Sequence, residues 1–146
     1  MKKLLFFMMA LIVAAVPMAA RDRISRDAAD LPSEARAMLN QYFKGEKISH
    51  IKIESHTFGG NEYDVILDNG NEIEFDSNGA WTDVDCGMQA VPNDLILKPI
   101  REYVNNVFKG QKIVKIEKKR NKYEIELRDG TDLEFDRAGK FLRIDD

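Results

Sequence analysis

Two segments of the chain repeat one pattern, "DNGNEIEFDSNGAW" at residues 68–81 and "RDGTDLEFDRAGKF" at residues 128–141. In each, an Asn-Gly or Asp-Gly pair precedes a short alternating run that ends in Phe-Asp, and a second glycine follows soon after. Asn-Gly and Asp-Gly pairs favour the primed turns that join antiparallel strands. Glycine also provides positive φ at the second turn. The segments therefore predict two successive hairpins in each half of the chain.

Loops rich in aspartate can instead bind calcium. An EF-hand loop needs oxygen ligands at alternate positions over twelve residues, with a glycine at the sixth and a glutamate at the twelfth. A loop that starts at Asp68 has Gly70 at its third position, which offers no side-chain ligand. A loop that starts at Asp76 has Trp81 at its sixth position, where glycine is required. Turn formation is the favoured explanation, and a loose surface calcium site stays open.

The similarity extends well beyond these two segments. Residues 42–55 (YFKGEKISHIKIES) align with residues 107–120 (VFKGQKIVKIEKKR) at an offset of 65. After the additional residues "HTFGG" at 56–60, the alignment resumes at an offset of 60. Self-similarity of this length, with one insertion, indicates that a single unit has been duplicated.

Each copy starts with a predicted helix. Pro32 and Pro99 suit the starts of these helices, and Gly45 and Gly110 lie where a C-cap is expected. Apolar residues recur at helical spacing in both segments, at Ala35, Met38, Leu39, Tyr42 and Phe43, and at Ile100, Tyr103, Val104, Val107 and Phe108. Both helices should therefore bury one apolar stripe.

Alternating residues after each helix predict antiparallel strands with one buried face. The apolar positions that the helices should cover are Tyr63, Val65, Leu67, Ile73 and Phe75, with the counterparts Tyr123, Ile125, Leu127, Leu133 and Phe135. The predicted fold class is α+β, a tandem repeat of a helix plus a four-stranded antiparallel meander. We expect the two copies to form one continuous sheet with the helices on one face, because merging shelters two strand edges.

The first twenty residues have the three-part pattern of a secretory signal. Two lysines precede the apolar run 4–16, and small residues follow at Ala19 and Ala20. An apolar run of this length is short for a bilayer span, which needs about 20 residues. We predict a signal peptide over residues 1–20 that is cleaved near Ala19 or Ala20, which gives a periplasmic or secreted protein without a stable membrane anchor.

The predicted organisation after the signal peptide consists of four segments: an N-terminal linker at 21–30, repeat 1 at 31–86, a linker at 87–95 and repeat 2 at 96–146. Cleavage removes two lysines and takes the formal charge from −3 to −5. An acidic chain of this kind does not suit nucleic acid as a partner. Its single cysteine, Cys86, cannot form an internal disulfide.

The paired motifs resemble those of the PepSY-like family. The resemblance rests on the helix followed by (Tyr/Phe)-x-Gly-x-Lys-Ile, and then on Tyr-x-(Val/Ile)-x-Leu before Gly-x-x-(Ile/Leu)-Glu-Phe-Asp-x-x-Gly, and it covers residues 31–146. It implies a small exported protein of Bacteroidetes type whose fold is similar to the β-lactamase-inhibitor protein. The family has no assigned reaction or ligand, so no functional residue carries over, and similarity of fold is a weak guide to function.

The titratable residues do not form a catalytic pattern, which would require convergent groups. His50 and His56 lie in or near a predicted strand, and Lys115 occupies the position equivalent to His50. Their spacing does not suit zinc, and nothing pairs Cys86 with a base. We therefore predict a protein that is not an enzyme, without a cofactor or a metal.

The predicted function is that of an exported binding module that inhibits or regulates an envelope protein or peptidase through the exposed face of the sheet. Phe58 joins this surface because an apolar residue at a glycine-flanked loop tip suits a protein contact. The candidate partner-binding residues are Phe58, Asp64, Ile66, Glu74, Glu124, Glu126 and Glu134. The alternative is an envelope protein that binds a small ligand or ion, such as calcium or a peptide.

Overall fold

The computed structural model describes residues 22–145 and shows an α+β fold with one antiparallel sheet of nine strands and two α-helices. The strands are β1 (Arg23–Ser25), β2 (Ile48–His56), β3 (Gly60–Leu67), β4 (Glu72–Phe75), β5 (Trp81–Asp85), β6 (Ile113–Lys118), β7 (Lys122–Leu127), β8 (Asp132–Asp136) and β9 (Phe141–Asp145). The helices are α1 (Ser33–Tyr42) and α2 (Lys98–Val107). Strand order in the sheet follows chain order. The predicted signal peptide lies outside the described residues.

The N-terminal segment contains a strand where the sequence predicted only a linker. β1 pairs antiparallel with β2, with Ser25 opposite Ile51. The Asp30 carboxylate stabilises this strand. It accepts a hydrogen bond of 2.5 Å from the Ser25 hydroxyl and forms an ion pair with Arg23, whose Nη2 atom lies 3.2 Å from Asp30 Oδ1. Three residues are too few to show a strand period in a sequence, which explains the missed strand.

The hairpin turns differ from the primed turns that the sequence predicted. The Gly70 amide donates to the Leu67 carbonyl at 2.9 Å, and the Leu67 amide donates to the Asn71 carbonyl at 2.9 Å. Gly70 has φ +89, whereas no non-glycine residue between 22 and 145 has positive φ. Because a type I′ turn needs positive φ at both central residues, these are instead three-residue loops with glycine in the left-handed conformation. The same turn recurs at Gly79, Gly130 and Gly139.

The recurring aspartates hold these turns together. Asp76 Oδ1 accepts hydrogen bonds from the amides of Asn78 and Ala80 at 2.9 and 3.0 Å. Asp136 Oδ1 makes the same two bonds to the equivalent amides at 2.9 and 2.8 Å. An aspartate that accepts backbone hydrogen bonds two residues along the chain is typical of tight turns. The repeated Asp-x-x-Gly pattern therefore serves the hairpins.

The core lies between the two helices and one face of the sheet. Its buried side chains include Ala35 and Leu39 from α1, Ile100 and Val104 from α2, and the predicted apolar strand positions, of which Tyr63 is only half-buried. Tyr103 on α2 stacks on Phe141, with their ring centroids 4.5 Å apart. Gly79 lies so close to α1 that a Cβ would come within 2.9 Å of the Ala35 backbone nitrogen.

Two details of the helix ends correct the sequence analysis. Val107 was assigned to the apolar stripe, but it is the last residue of α2 and its side chain is 56% exposed. Gly45 and Gly110 were expected as C-caps, but α1 is capped at Phe43 and α2 at Phe108. The backbone amides of Phe43 and Phe108 complete the last helical turns by donating to the Leu39 and Val104 carbonyls at 2.9 and 2.8 Å. The two glycines instead lie within the turns that follow.

The halves of the chain meet where β5 pairs with β6. Only three residue pairs form this junction, Asp83 with Glu117, Val84 with Ile116, and Asp85 with Lys115. Val84 and Ile116 point into the core and are fully buried. The charged residues of the other two pairs lie on the opposite face, which the helices leave open. A single open face therefore continues from one half of the chain into the other.

Candidate binding face

The open face carries the polar positions of the strands. Because side chains alternate along a strand, residues between the buried apolar positions point away from the helices. Six of the predicted binding residues lie on this face: Asp64 and Ile66 on β3, Glu74 on β4, Glu124 and Glu126 on β7, and Glu134 on β8. Phe58 lies apart from them, in the turn between β2 and β3, and its side chain is 92% exposed.

Six carboxylates form one line across the open face. Each is the direct cross-strand partner of the next, from β3 to β8. We call this line the acidic row, and its members are Asp64, Glu74, Asp83, Glu117, Glu124 and Glu134. Lys52 on β2 and Arg143 on β9 are the partners at its two ends. Cross-strand partners on one face have Cβ atoms about 5 Å apart, so like charges repel along this line.

Sequence reasoning missed Asp83, although it lies near the middle of the row. Period two along Val84 and Asp85 would have placed Asp83 on the open face. The pattern is broken at the start of β5, because the pairing of β4 with β5 shifts register between Glu74 and Phe75. This irregularity interrupts the alternation by which the other strands were assigned.

The first-half segment of the acidic row consists of Asp64, Glu74 and Asp83. Few cations lie close enough to balance the negative charges of this segment. Burial, followed by the neighbouring Glu72 and Glu74 carboxylates, raises the pKa of Asp64 to about 7. Its Oδ1 atom is buried and has no hydrogen-bond partner among residues 22–145. Burial also raises the pKa of Glu74, with a further contribution from Glu72. Protonation at neutral pH would remove some of this repulsion.

Asp83 belongs to the same segment but has one cation beside it. Asp83 is only 8% exposed, and burial raises the pKa of its carboxyl group to about 6. Lys115 Nζ lies 3.3 Å from Asp83 Oδ2 and 4.0 Å from Asp85 Oδ2, which limits that rise. The single ammonium group is thus shared between two carboxylates on the same strand.

The second-half segment of the acidic row consists of Glu117, Glu124 and Glu134. Each of these carboxylates forms an ion pair with a lysine. Glu134 is 3% exposed, although the sequence predicted it as part of the exposed face. Its carboxylate contacts Lys122 Nζ at 2.5 Å and Arg143 Nε at 3.0 Å. The hydrogen bond from Lys122 outweighs burial and, together with Arg143, lowers the pKa of Glu134. The two cations cover this carboxylate, which explains its burial.

Glu124 has a similar environment. Lys119 Nζ and Lys122 Nζ lie 2.7 and 2.8 Å from its carboxylate oxygens. Burial is the largest single influence and raises its pKa, but the hydrogen bonds and charges of the two lysines together outweigh burial and lower the pKa to about 2. Glu124 is therefore ionised throughout the physiological range.

Each segment of the row borders a shallow cavity. A cavity of about 330 Å³ in the first half is lined by residues that include Lys52, Glu54, Glu62, Asp64 and Glu74. A cavity of about 220 Å³ in the second half is lined by residues that include Lys115, Glu124, Glu126, Asp132 and Glu134. Carboxylates outnumber cations in both, so both suit cationic groups.

Two groups on this face have a geometry that could hold a divalent cation. The ligand atoms of Asp64, Glu72 and Glu74 lie within 4.8 Å of one another, as do those of Glu54, His56 and Glu62. Carboxylate oxygens are the ligands that calcium prefers. The first group includes the buried, unpartnered oxygen of Asp64. Neither group was predicted as a metal site from the sequence.

Cys86 has the properties of a core residue. Its side chain is buried, and burial together with Asp85 raises the pKa of its thiol to about 11. Because the thiolate is the reactive form of cysteine, this thiol is a poor nucleophile at neutral pH. His50 and His56 both lie on β2, where His50 contacts the Ser49 hydroxyl at 3.2 Å and His56 contacts Glu62 at 3.4 Å.

Comparison with known proteins gives one family and several solved structures. The profile of a family described as "Putative beta-lactamase-inhibitor-like, PepSY-like" matches residues 61–143. A periplasmic protein of unknown function from Bacteroides vulgatus, described as putative, is 40% identical, with a TM-score of 0.82 over 86% of this chain and 100% of its own. No curated protein matches the chain.

Two further structures have the same fold. A "putative calcium-regulated periplasmic protein" from Bacteroides thetaiotaomicron is 34% identical, with a TM-score of 0.80 over 86% of this chain and 97% of its own. A second "putative periplasmic protein" from Bacteroides vulgatus is 33% identical, with a TM-score of 0.80 over 88% of this chain and 99% of its own. None of these descriptions names an enzymatic reaction. Within residues 22–145, no helix has the length and apolar character to cross a membrane.

Proposed function

The chain belongs to the PepSY-like family, and from this premise we propose that it is an exported, non-enzymatic binding module whose acidic row binds a cationic surface of an envelope protein. Inhibition or regulation of a periplasmic enzyme such as a peptidase is the outcome of that binding. We further propose that the fold comprises two copies of a helix plus a four-stranded meander, with a likeness to the β-lactamase-inhibitor protein.

The acidic row is the observation that carries the proposal. Like charges directly opposite each other across strands destabilise a sheet. Five such pairs follow one another from β3 to β8. A fold that needed only solubility could alternate the signs of these charges. A partner that presents lysine or arginine side chains along this line would relieve the repulsion and gain affinity from it.

The first-half segment is the stronger part of this surface. Asp64 and Glu74 have raised pKa values, and Asp64 Oδ1 has no partner among the described residues. Glu124 and Glu134, by contrast, already contact lysine or arginine within 3.0 Å. We therefore place the partner's cationic groups on the segment formed by Asp64, Glu74 and Asp83.

Phe58 lies outside the open face, on the hairpin whose second strand carries Asp64, and we propose that it adds an apolar contact. It lies at the tip of the β2–β3 hairpin, directly before Gly59 and Gly60, which have φ +112 and +85. Glycine adopts positive φ without steric cost, so the chain can turn sharply here, and the phenyl ring is left in solvent. Buried aromatic anchors often dominate protein interfaces. Phe58 is thus proposed as the anchor beside a charged segment.

Localisation rests on the leader pattern and on the relatives. Residues 1–20 have the composition of a signal peptide, and the three similar structures are described as periplasmic. The inhibitor-type role rests on the family description alone. A partner enzyme would therefore be found in the same compartment.

The experiment is capture of a partner from the envelope extract of the producing bacterium, with the exported chain as bait. The test variant neutralises three row residues by Asp64→Asn, Glu74→Gln and Asp83→Asn. The matched control neutralises three exposed carboxylates beside the helices by Glu34→Gln, Asp94→Asn and Glu102→Gln. We expect the affinity of the test variant for the captured partner to fall about tenfold, which corresponds to about 1.4 kcal/mol of binding free energy. Equal loss in both variants would indicate non-specific charge attraction and refute the proposal.

Calcium is a second candidate ligand because one relative is described as calcium-regulated. The Asp64, Glu72 and Glu74 group is the proposed site, since its ligand atoms lie within 4.8 Å of one another. Calorimetric titration with calcium chloride should show saturable heat that Glu72→Gln reduces. A titration that shows no heat, together with unchanged thermal stability in calcium, would remove this candidate.

A further inference from the structure

A second candidate site lies on the helix side of the sheet, away from the acidic row. A cavity of about 340 Å³ opens between α2, the segment that precedes it and the turn that leads to β6. Its lining residues are Ala90, Val91, Asn93, Ile96, Arg101, Val104, Asn105, Gln111, Lys112 and Ile113. They combine two cations, three amides and an apolar floor. No carboxylate of the described residues lines it, although the chain as a whole is acidic.

Arg101 is the unusual residue of this cavity. Its Nε atom is buried and has no hydrogen-bond partner among residues 22–145. No described carboxylate lies within the 4.0 Å of an ion pair with its guanidinium. A guanidinium stays charged at all accessible pH values, and a buried donor without an acceptor destabilises the folded protein. Because this charged residue lines the cavity and pairs with no described carboxylate, the cavity favours an anion.

The first half of the chain has an equivalent cavity with a different charge. It measures about 140 Å³, and its lining includes Arg36, Asn40 and Glu46. These residues correspond to Arg101, Asn105 and Gln111 at the offset of 65. A carboxylate thus lines the small cavity, whereas an amide occupies its position in the large one. The difference between Glu46 and Gln111 at this equivalent position offers a way to test how charge affects binding in the cavity.

We propose that the Arg101 cavity binds a small carboxylate that carries a short apolar group. The Arg101 guanidinium donates to the carboxylate, and the amide groups of Asn105 and Gln111 supply further donors at the cavity wall. The apolar group lies on Val104 and Ile113. Such chemistry is present both at the C-terminus of a peptide and in a free aliphatic acid. This site is independent of the acidic row, so either proposal can fail without the other.

The test is a titration of the isotope-labelled exported chain, followed by the NMR signals of backbone amides and of the Arg101 Nε–H. The probes are N-acetylleucine and hexanoate, and the neutral control is N-acetylleucinamide. We expect saturable shifts at Arg101, Asn105 and Gln111 with a Kd of roughly 1 mM, since few-atom ligands gain limited free energy. Binding of N-acetylleucine alone indicates a peptide C-terminus, and binding of both acids indicates the wider class of aliphatic carboxylates.

Matched variants separate charge from folding. Gln111→Glu gives the cavity the carboxylate of the first half and should weaken binding at least about tenfold. Arg101→Gln should abolish saturable shifts, whereas Arg36→Gln should leave them unchanged. The proposal is overturned if neither acid gives saturable shifts at these residues, if the neutral amide binds equally well, or if Gln111→Glu has no effect in a protein with an intact spectrum.

Discussion

The two halves of the open face carry carboxylates at equivalent positions but stabilise them in opposite ways. Asp64 and Glu124 are equivalent at the offset of 60, yet their pKa values are raised to about 7 and lowered to about 2. Glu74 and Glu134 show the same contrast in direction. The backbone pairing is the same in both halves, since each residue faces its counterpart on the next strand. The contrast therefore originates in the neighbouring side chains.

Charge reversals at three flanking positions explain the contrast. Lys122 in the second half replaces Glu62 of the first and Arg143 replaces Asp83, whereas Lys119 replaces Glu54 at the offset of 65. Lys122 and Arg143 contact Glu134, and Lys119 and Lys122 contact Glu124. One scaffold thus supports a self-contained ion network in one half and an acidic surface with few paired cations in the other. Carboxylates without a paired cation are available to a partner.

The largest predicted effect concerns the turn glycines that lie against a helix in both halves, Gly79 and Gly139. Gly79→Ala should lower the free energy of unfolding by roughly 2–3 kcal/mol, because alanine is strained at positive φ and its Cβ would press on α1. Gly139→Ala should be milder, since its Cβ would meet the Pro99 side chain at 3.0 Å and no backbone atom that closely. Urea unfolding measures both. A harmless Gly79→Ala would contradict the described contact between this turn and α1.

The pH dependence of stability should reveal the opposite behaviour of the two segments. Folded Asp64 has a pKa of about 7 against an ordinary 3.8, so between these values the folded protein holds a proton that the unfolded chain has lost. The free energy of unfolding therefore falls as pH rises through this window, and Asp83, with a pKa of about 6, adds to the fall. Asp64 is partly exposed, so solvent screening should limit its contribution to about 1 kcal/mol.

Glu124 should change the free energy of unfolding at acidic pH. Because its folded pKa is lowered from 4.5 to about 2, the stability that it contributes is present above 4.5 and is lost as pH falls towards 2. Maximum stability should therefore lie near pH 4–5. Urea unfolding at several pH values checks this prediction, and Asp64→Asn should flatten the change above pH 5. A maximum at pH 7 or higher would contradict it.

A smaller effect is expected when a cation of the second half is placed in the first. Glu62→Lys should position an ammonium group near Asp64 and Glu74, as Lys122 lies near Glu124 and Glu134. Replacement of a repulsive pair by an attractive one should raise the free energy of unfolding at pH 7 by roughly 0.5 kcal/mol. The same variant should bind a cationic partner more weakly. No gain in stability, with unchanged pH dependence, would show that Glu62 does not control this segment.

The smallest effect should occur at the hairpin insertion, which only the first half possesses. Phe58→Ser should change the free energy of unfolding by less than about 0.5 kcal/mol, because the ring is 92% exposed and contributes nothing to the core. Thermal unfolding measures this directly. A large loss of stability would show that Phe58 packs against the protein, and it would remove the reason to propose it as an anchor.

The sequence predicted most of the sheet because strand period and turn residues are local signals. Val65, Ile73, Ile125 and Leu133 alternate with polar residues and are all buried. The three-residue β1 was missed because it is too short to show a period, and its pairing depends on Asp30. The turn type was wrong because Asn-Gly and Asp-Gly also fit three-residue loops, in which only the glycine needs positive φ.

The candidate site could be predicted only in part. Alternation placed Asp64, Glu74, Glu124 and Glu134 on one face, and the register confirms that Asp64 and Glu124 face Glu74 and Glu134. Their differing electrostatics depend on cross-strand contacts such as that between Arg143 and Glu134, nine residues apart. The continuity of the row required the β5–β6 junction, where Asp83 meets Glu117. Tertiary pairing of this kind is not encoded in a local pattern.

The most direct test of the account is an NMR titration of the side-chain carboxyl groups in the free protein. We predict that Asp64 titrates near pH 7 and Asp83 near pH 6, whereas Glu124 titrates near pH 2. That result would establish one poorly compensated and one paired segment within the same row. Titration of all three groups near pH 4, the ordinary range of exposed carboxylates, would show that the two segments do not differ, and it would remove the basis for a preferred cationic partner site.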